Sequence, residues 1–182
     1  MNGTTVNARP YPWPFHGRLQ PARVALLTCE DAAAGTHADR DGPLPRLRTV
    51  VETIRARGGT IVWLPNRNAA AGAMLACTTT GPSDITVGRP VLSGFTGTGL
   101  DLILRARGIT DIVLAGFPLE LGADCTMREA NDLGYECLML TDCSSALSPE
   151  TAAAAIRSIQ MSGGIFGAVA GSDELLRALG AE

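Results

Sequence analysis

Two hydrophobic periods alternate along this chain, and that alternation limits its fold more than any single motif. Apolar runs of strand length recur at "RVALLTCED" (Arg23–Asp31), "TIVWLP", "TDIVLAG", "YECLMLTDC" and "IFGAVA". Helix-period segments separate them. In "PLPRLRTVVETIRARGG", Leu47, Val50, Val51 and Ile54 follow the i, i+3, i+4, i+7 rule and the segment stops at Gly58-Gly59. "TGLDLILRARG" follows, with Gly108 as its C-cap. Then come "LGADCTMREANDLG", "SPETAAAAIRSIQMSGG" with Ser148 as N-cap and Glu150 in the first turn, and a terminal "SDELLRALG". Continuously apolar strands are buried on both faces, and helical crossovers between them make neighbouring strands parallel. The pattern predicts a three-layer α/β fold, a mostly parallel sheet flanked by helices on both faces. The segment "NRNAAAGAMLACTTTGPSDIT" is rich in small residues and reads as irregular. With no repeat and no linker, residues 1–182 are expected to form one domain, with a Pro-rich extended arm over 1–22.

Open parallel sheets bind ligands beyond the carboxyl ends of their strands. Here those ends carry Cys29-Glu30-Asp31, Pro65-Asn66-Arg67, Gly116-Phe117-Pro118 and Asp142-Cys143. A formal net charge of −3 offers no basic footprint for nucleic acid and no polybasic membrane patch. No stretch reaches the ~20 apolar residues that span a bilayer, and the N-terminus lacks the apolar core of a signal peptide, so a cytoplasmic protein is expected. The cysteines (Cys29, Cys77, Cys125, Cys137, Cys143) are odd in number and form no CxxC pair, which suits free thiols in a reducing compartment. Cys137 and Cys143 flank an apolar strand and read as small core filler. His16 and His37 sit in loop-like segments without metal-ligand spacing, and a solvated role is the simpler reading for both, so neither a metal site nor a cofactor is expected. "GFTGTG" (Gly94–Gly99) lacks the context of a dinucleotide fingerprint.

The stretches "YPWPFHGRLQPARVALL", "LDLILRARGITDIVLAG", "CTMREANDLGYECLMLTDC" and "QMSGGIFGAVA" together resemble the isochorismatase-like cysteine hydrolase superfamily. The local likeness is strongest to its biuret hydrolase and amidohydrolase branch. It is collinear and covers most of the chain outside roughly 29–88. The resemblance implies the fold derived above, and a chemistry of three side chains. An Asp ends the first strand, a Lys begins a K-x-x-x-S-x-F segment, and a Cys opens the helix after the fourth strand. A thiol becomes a nucleophile once ionised, a carboxylate takes its proton, and an ammonium stabilises the thiolate. Backbone N–H groups at the helix start hold the oxyanion.

Carried over residue by residue, the resemblance puts substitutions at all three places. Glu30 falls on the aspartate, Arg89 on the lysine with Ser93 and Phe95 matching its segment, and Gly122 on the cysteine with Thr126 matching a following threonine. The loops after the first two strands are shorter than in relatives, and Ala152 stands where some relatives carry a histidine. Glu30 is either a general acid at the strand mouth or a surface acid, and Asp31 beside it is turned elsewhere by an alternating pleat. Arg89 is either a fixed cation pairing Glu30 or a substrate carboxylate, or a solvated side chain before Pro90. Gly122 is a packing residue, the relic of a lost nucleophile, or an active feature: true isochorismatases of the superfamily also carry glycine there and cleave a vinyl ether by acid-assisted protonation with no covalent intermediate. Cys125, one helical turn on, is a displaced nucleophile or a core thiol. At Phe117-Pro118 relatives hold a cis peptide that shapes the oxyanion turn, so Phe117, Pro118 and Gly122 are expected to keep that turn, with the Phe117–Pro118 bond cis.

Two functions fit. One is an enzyme acting on a small polar substrate by non-covalent acid/base chemistry, whether hydrolysis, elimination or rearrangement. The other is an inactive homologue serving as a structural, regulatory or ligand-binding subunit. The resemblance and the Gly/Ala-rich helix faces imply a homo-oligomer, a dimer or larger, or a hetero-oligomer with an active homologue.

Overall fold

The computed structural model describes residues 4–31, 42–67 and 80–180. His37, Cys77 and most of the two shortened loops lie outside the described residues. Six strands form one sheet: β1 (Val24–Glu30), β2 (Thr60–Pro65), β3 (Ile85–Thr86), β4 (Asp111–Phe117), β5 (Glu136–Leu140) and β6 (Ala168–Ala170). Their spatial order is β3-β2-β1-β4-β5-β6, and every pair is parallel. The helices are α1 (Pro43–Ala56), α2 (Leu100–Ala106), α3 (Asp124–Asp132), α4 (Pro149–Met161) and α5 (Ser172–Ala178). None of the described helices is long and apolar enough to cross a membrane.

The five apolar runs of the sequence are β1, β2, β4, β5 and β6. β3 falls within the segment whose sequence is irregular, because two residues are too few to show a period. The helical segment that begins at Leu121-Gly122 divides into a π-helical turn (Leu119–Ala123) and α3. α4 starts as expected at Ser148, whose hydroxyl accepts the Thr151 N–H in a capping box.

Pleating sorts the core into two clusters. Val24 and Leu26 of β1, with Ile61, Trp63, Val113, Ala115, Leu138 and Leu140, pack with α1 and α5. Ala25, Leu27 and Cys29, with Val62, Leu64, Ile112, Leu114 and Met139, pack with α2, α3 and α4. The N-terminal segment joins the first cluster. It doubles back on itself through paired Val6 and Trp13 backbones (2.7 and 3.0 Å), and both side chains are fully buried. Arg9 then pairs antiparallel with Val169 of β6.

Strand order reverses direction between β1 and β4, since the chain runs outward from β1 through β2 to β3 and returns to β4. In sheets of this kind ligands bind at such a reversal, beyond the carboxyl ends of the strands.

Candidate active site

Residue 31 continues β1 past its end, held by its N–H to the Phe117 carbonyl at 3.0 Å. Pleat parity decides which carboxylate faces the start of α3. Even residues of β1 face α1 and α5, whereas odd residues face α2, α3 and α4. Asp31 is therefore on the face where α3 begins, and Glu30 is on the other. Asp31, and not the Glu30 side chain expected from the sequence, is the carboxylate that meets Arg89 and Gly122. Glu30 contributes its backbone carbonyl, which accepts from Asn66 N–H (3.0 Å) and Arg89 Nη2 (2.9 Å).

Asp31 is gripped by three donors. Its Oδ1 accepts from Arg89 Nη2 at 3.0 Å and Asn66 Nδ2 at 3.3 Å, and its Oδ2 accepts from the Gly122 N–H at 3.2 Å. The segment carrying Arg89 is tied to β2 by reciprocal bonds, Arg67 N–H to Arg89 O and Arg89 N–H to Pro65 O, each 2.8 Å. Its side chain is fully buried beneath the strand ends. Nε donates to Leu64 O (2.8 Å), Nη1 to Val91 O (3.4 Å) and to Leu92 O, and Nη2 to Glu30 O and Asp31 Oδ1. A guanidinium has five N–H groups, and these five acceptors use all of them. Arg89 is thus an internal brace for Asp31, in place of the solvated side chain or substrate clamp considered from sequence.

Gly122 lies in the π-helical turn, which the Phe117–Pro118 bond enters in the cis form, as expected. Backbone bonds fix the turn from the far side: Leu119 N–H to Ser145 O at 2.9 Å and Ser145 N–H to Gly116 O at 3.0 Å. Thr126 closes it. Its hydroxyl donates to Gly122 O (2.6 Å), accepts the Gly94 N–H (2.9 Å) and sits 3.5 Å from Cys29 Sγ. Ser93 and Thr96 both bond Glu129 of α3, which anchors the following loop to the same helix. Asn66 lies outside the stretches that carry the resemblance, and Glu129 lies inside one of them, but nothing in the sequence marks it for a role at the site.

Cys125 stands apart from this cluster, half-buried on the first turn of α3. Burial, then the neighbouring Asp124 carboxylate, push its thiol above the ordinary range, against the weaker pull of Arg128 and Arg89. Cys29 is fully buried and burial pushes it up to about 11. Neither is poised as a thiolate. His16 lies at the opposite end of the sheet, roughly 20 Å away by strand rise, where its Nε2 meets Asp111 Oδ1 at 3.0 Å. Its reading as merely solvated gives way to a partnered ring. Among the described residues no group of three or more His, Cys, Asp or Glu is placed to hold a metal ion.

Known proteins bear on this geometry. The isochorismatase domain model matches residues 24–174. An uncharacterised isochorismatase family protein, YwoC of Bacillus subtilis, is 45% identical over 76 residues, which are 42% of this chain and 40% of that protein. The ureidoacrylate amidohydrolase RutB of Methylobacterium radiotolerans is 26% identical over 82% of this chain and 76% of its own length. The match to YwoC thus spans less than half of that relative. Among solved structures, an isochorismatase family protein from Burkholderia thailandensis superposes with a TM-score of 0.75 at 26% identity, covering 89% of this chain and 97% of that one. A cysteine hydrolase from Pseudomonas syringae pv. phaseolicola superposes with a TM-score of 0.79 at 18% identity over 100% and 99% of the two chains, a likeness of fold.

Proposed function

We propose, from the premise that this chain belongs to the isochorismatase family, that it is a hydrolase of that family working without a covalent nucleophile, with Asp31 as its acid/base group. The observation that carries this reading is the Asp31 carboxylate seated on the Gly122 N–H, where the resemblance puts a cysteine, at the carboxyl ends of β1 and β4.

The chemistry follows from the seat. Oδ1 already accepts two hydrogen bonds and Oδ2 one. The second lone pair of Oδ2 is the position that carries a proton to a substrate and recovers one from the water that adds. A positioned acid of this kind contributes about 10²–10⁴ in rate. Arg89 and Asn66 fix its direction. The substrate is small and polar, with an atom basic enough to take a proton; the vinyl ether chemistry of glycine-bearing isochorismatases is the closest precedent. Amide hydrolysis through an acyl-enzyme has no group to form it at position 122.

A second reading, an inactive ligand-binding or regulatory homologue, is favoured by the complete internal use of Arg89, which leaves no guanidinium donor for a substrate. One experiment separates them. Wild type, D31N and E30Q are assayed against a panel of small vinyl ethers, amides and ureido acids. Turnover by wild type and E30Q that falls about 10²–10⁴-fold in D31N supports the enzyme. Turnover retained in D31N refutes Asp31 as the acid. Binding without turnover across the panel gives the second reading.

A further inference from the structure

We infer that the Asp31–Arg89 pair bars position 122 from carrying a side chain, with Arg89 as the member that locks the pair in place, and so confines this site to chemistry without a covalent nucleophile. The inference deepens the reading of a thiol-free site and assigns the rigidity behind that state to one positioning residue.

Glycine at 122 is not required by the backbone. Its φ is not among the positive values found at other glycines of the chain, such as Gly108 and Gly134, so any L-residue can adopt its conformation. The obstacle is lateral. A Cβ built on Gly122 would lie 2.6 Å from Asp31 Oδ2, 2.7 Å from Arg89 Nη1 and 3.0 Å from Arg89 Cζ. These are the three nearest atoms, and all belong to the two side chains of the carboxylate–guanidinium pair. Carbon contacts are comfortable near ~3.5–4.0 Å, so these neighbours have to move. Gly116 is a useful contrast: there a Cβ would meet Leu119 Cα and the Pro118 carbonyl as well as Ala123, so that close approach is built into the main chain.

An exposed arginine would swing aside at little cost. Arg89 cannot, because it is fully buried and its five N–H groups end on Leu64 O, Val91 O, Leu92 O, Glu30 O and Asp31. Those acceptors come from β2, from the loop after Arg89, and from the end of β1. Withdrawing the fork would strip all three segments of a charged donor in a water-poor place. Asp31 is held in turn by Arg89, so neither clashing partner can yield alone. A lysine at 89 ends where the guanidinium carbon lies and has no fork. It would keep a cation against Asp31 while vacating the Nη1 position next to Gly122. Arginine and glycine here are therefore coupled substitutions.

The test is a double-mutant cycle read by stability and thiol labelling, neither of which depends on turnover. G122A, R89K, R89K/G122A, and R89Q with R89Q/G122A as a second shortened background, are melted at neutral pH. G122A in the wild-type background should lower Tm by about 5 °C or more, a shift of the size expected for a chain of this length. The same change should cost less than half as much where residue 89 is Lys or Gln. In a C125A background, iodoacetamide should label the thiol of R89K/G122C at least tenfold faster than that of G122C, as located by mass spectrometry. Equal cost of G122A in both backgrounds, or equal labelling rates, overturns the role of Arg89. If the cysteine variants do not fold, the alanine cycle decides alone. Failure here leaves the assignment of Asp31 standing, whereas retained turnover in D31N overturns that assignment and leaves the coupling intact.

Discussion

Replacing Asp31 by Asn gives a measurable loss of stability whose size follows from its three donors. Asp31 is 5% exposed and its partner Arg89 fully buried, so the pair is a desolvated one. Breaking such a pair by neutralising one member costs about 3–5 kcal/mol, because the other charge stays buried. An asparagine returns part of this, since its amide oxygen still accepts. Its amide nitrogen cannot be placed well, however. Facing Gly122 it meets an N–H, and facing the other way it meets Arg89 Nη2 and Asn66 Nδ2, all donors. The expected loss is about 3 kcal/mol, or roughly 6–12 °C in Tm at this chain length. Urea denaturation at pH 7 with an unchanged m-value is the assay. Burial also predicts that the loss is nearly the same in 0.1 M and 1 M NaCl, since salt screens buried pairs little. A D31N protein within about 0.5 kcal/mol of wild type, or a loss that disappears in high salt, would refute a buried brace at this position.

Three further outcomes are expected. Cys125 should react with iodoacetamide more slowly than an ordinary thiol at pH 7.5, because burial and Asp124 raise it, and C125A should leave any turnover intact; stoichiometric labelling with parallel loss of activity would make it the nucleophile. D84N should cost about 2 kcal/mol, because Asp84 accepts from Arg55 Nη2 (2.7 Å), Gly81 N–H (2.9 Å) and Trp63 Nε1 (3.0 Å). Burial pushes the Asp84 carboxyl up, but these donors outweigh it and hold it below the ordinary value. A lowered folded-state value gives stability that is present above the unfolded pKa near ~4 and lost as pH falls through the folded one. The gap between wild type and D84N should therefore narrow on acidification, which urea melts across pH 3–7 will read. Trp13→Ala should cost about 3–5 kcal/mol, since the ring is fully buried against the first core cluster, and chemical denaturation followed by circular dichroism checks it.

The layered architecture was legible because each element is a local statement. A seven-residue, largely apolar strand such as Val24–Glu30 and the i, i+3, i+4, i+7 spacing of Leu47 to Ile54 carry their periods within one segment. The position of Gly122 was legible for the same reason, since the motif around it survives to Thr126. Asp31 and Arg89 border the stretch, roughly 29–88, where the resemblance lapses. Matching residues by motif put Glu30 in the carboxylate place. Setting Asp31 aside by pleat alternation relied on that placement, and the true parity is given by Leu27 and Cys29 packing towards α3. The seat of Arg89 was illegible for a different reason. Four of its five acceptors are backbone carbonyls, which carry no side-chain signature, and those of Leu64 and Glu30 come within its reach only when β1 and β2 lie side by side.

The pairing of Arg9 with Val169 closes one side of the sheet. β6 is the last strand on its side of the sheet, and in a three-residue edge only the middle residue turns its amide groups outward. Both of those groups on Val169 are already spent, the N–H on Arg9 O at 2.8 Å and the carbonyl on Arg9 N–H at 3.0 Å. An open strand border is where sheets of separate molecules fuse into aggregates, and here the chain's own leading segment seals that border. Removing the first dozen residues would bare this border to pairing with another chain.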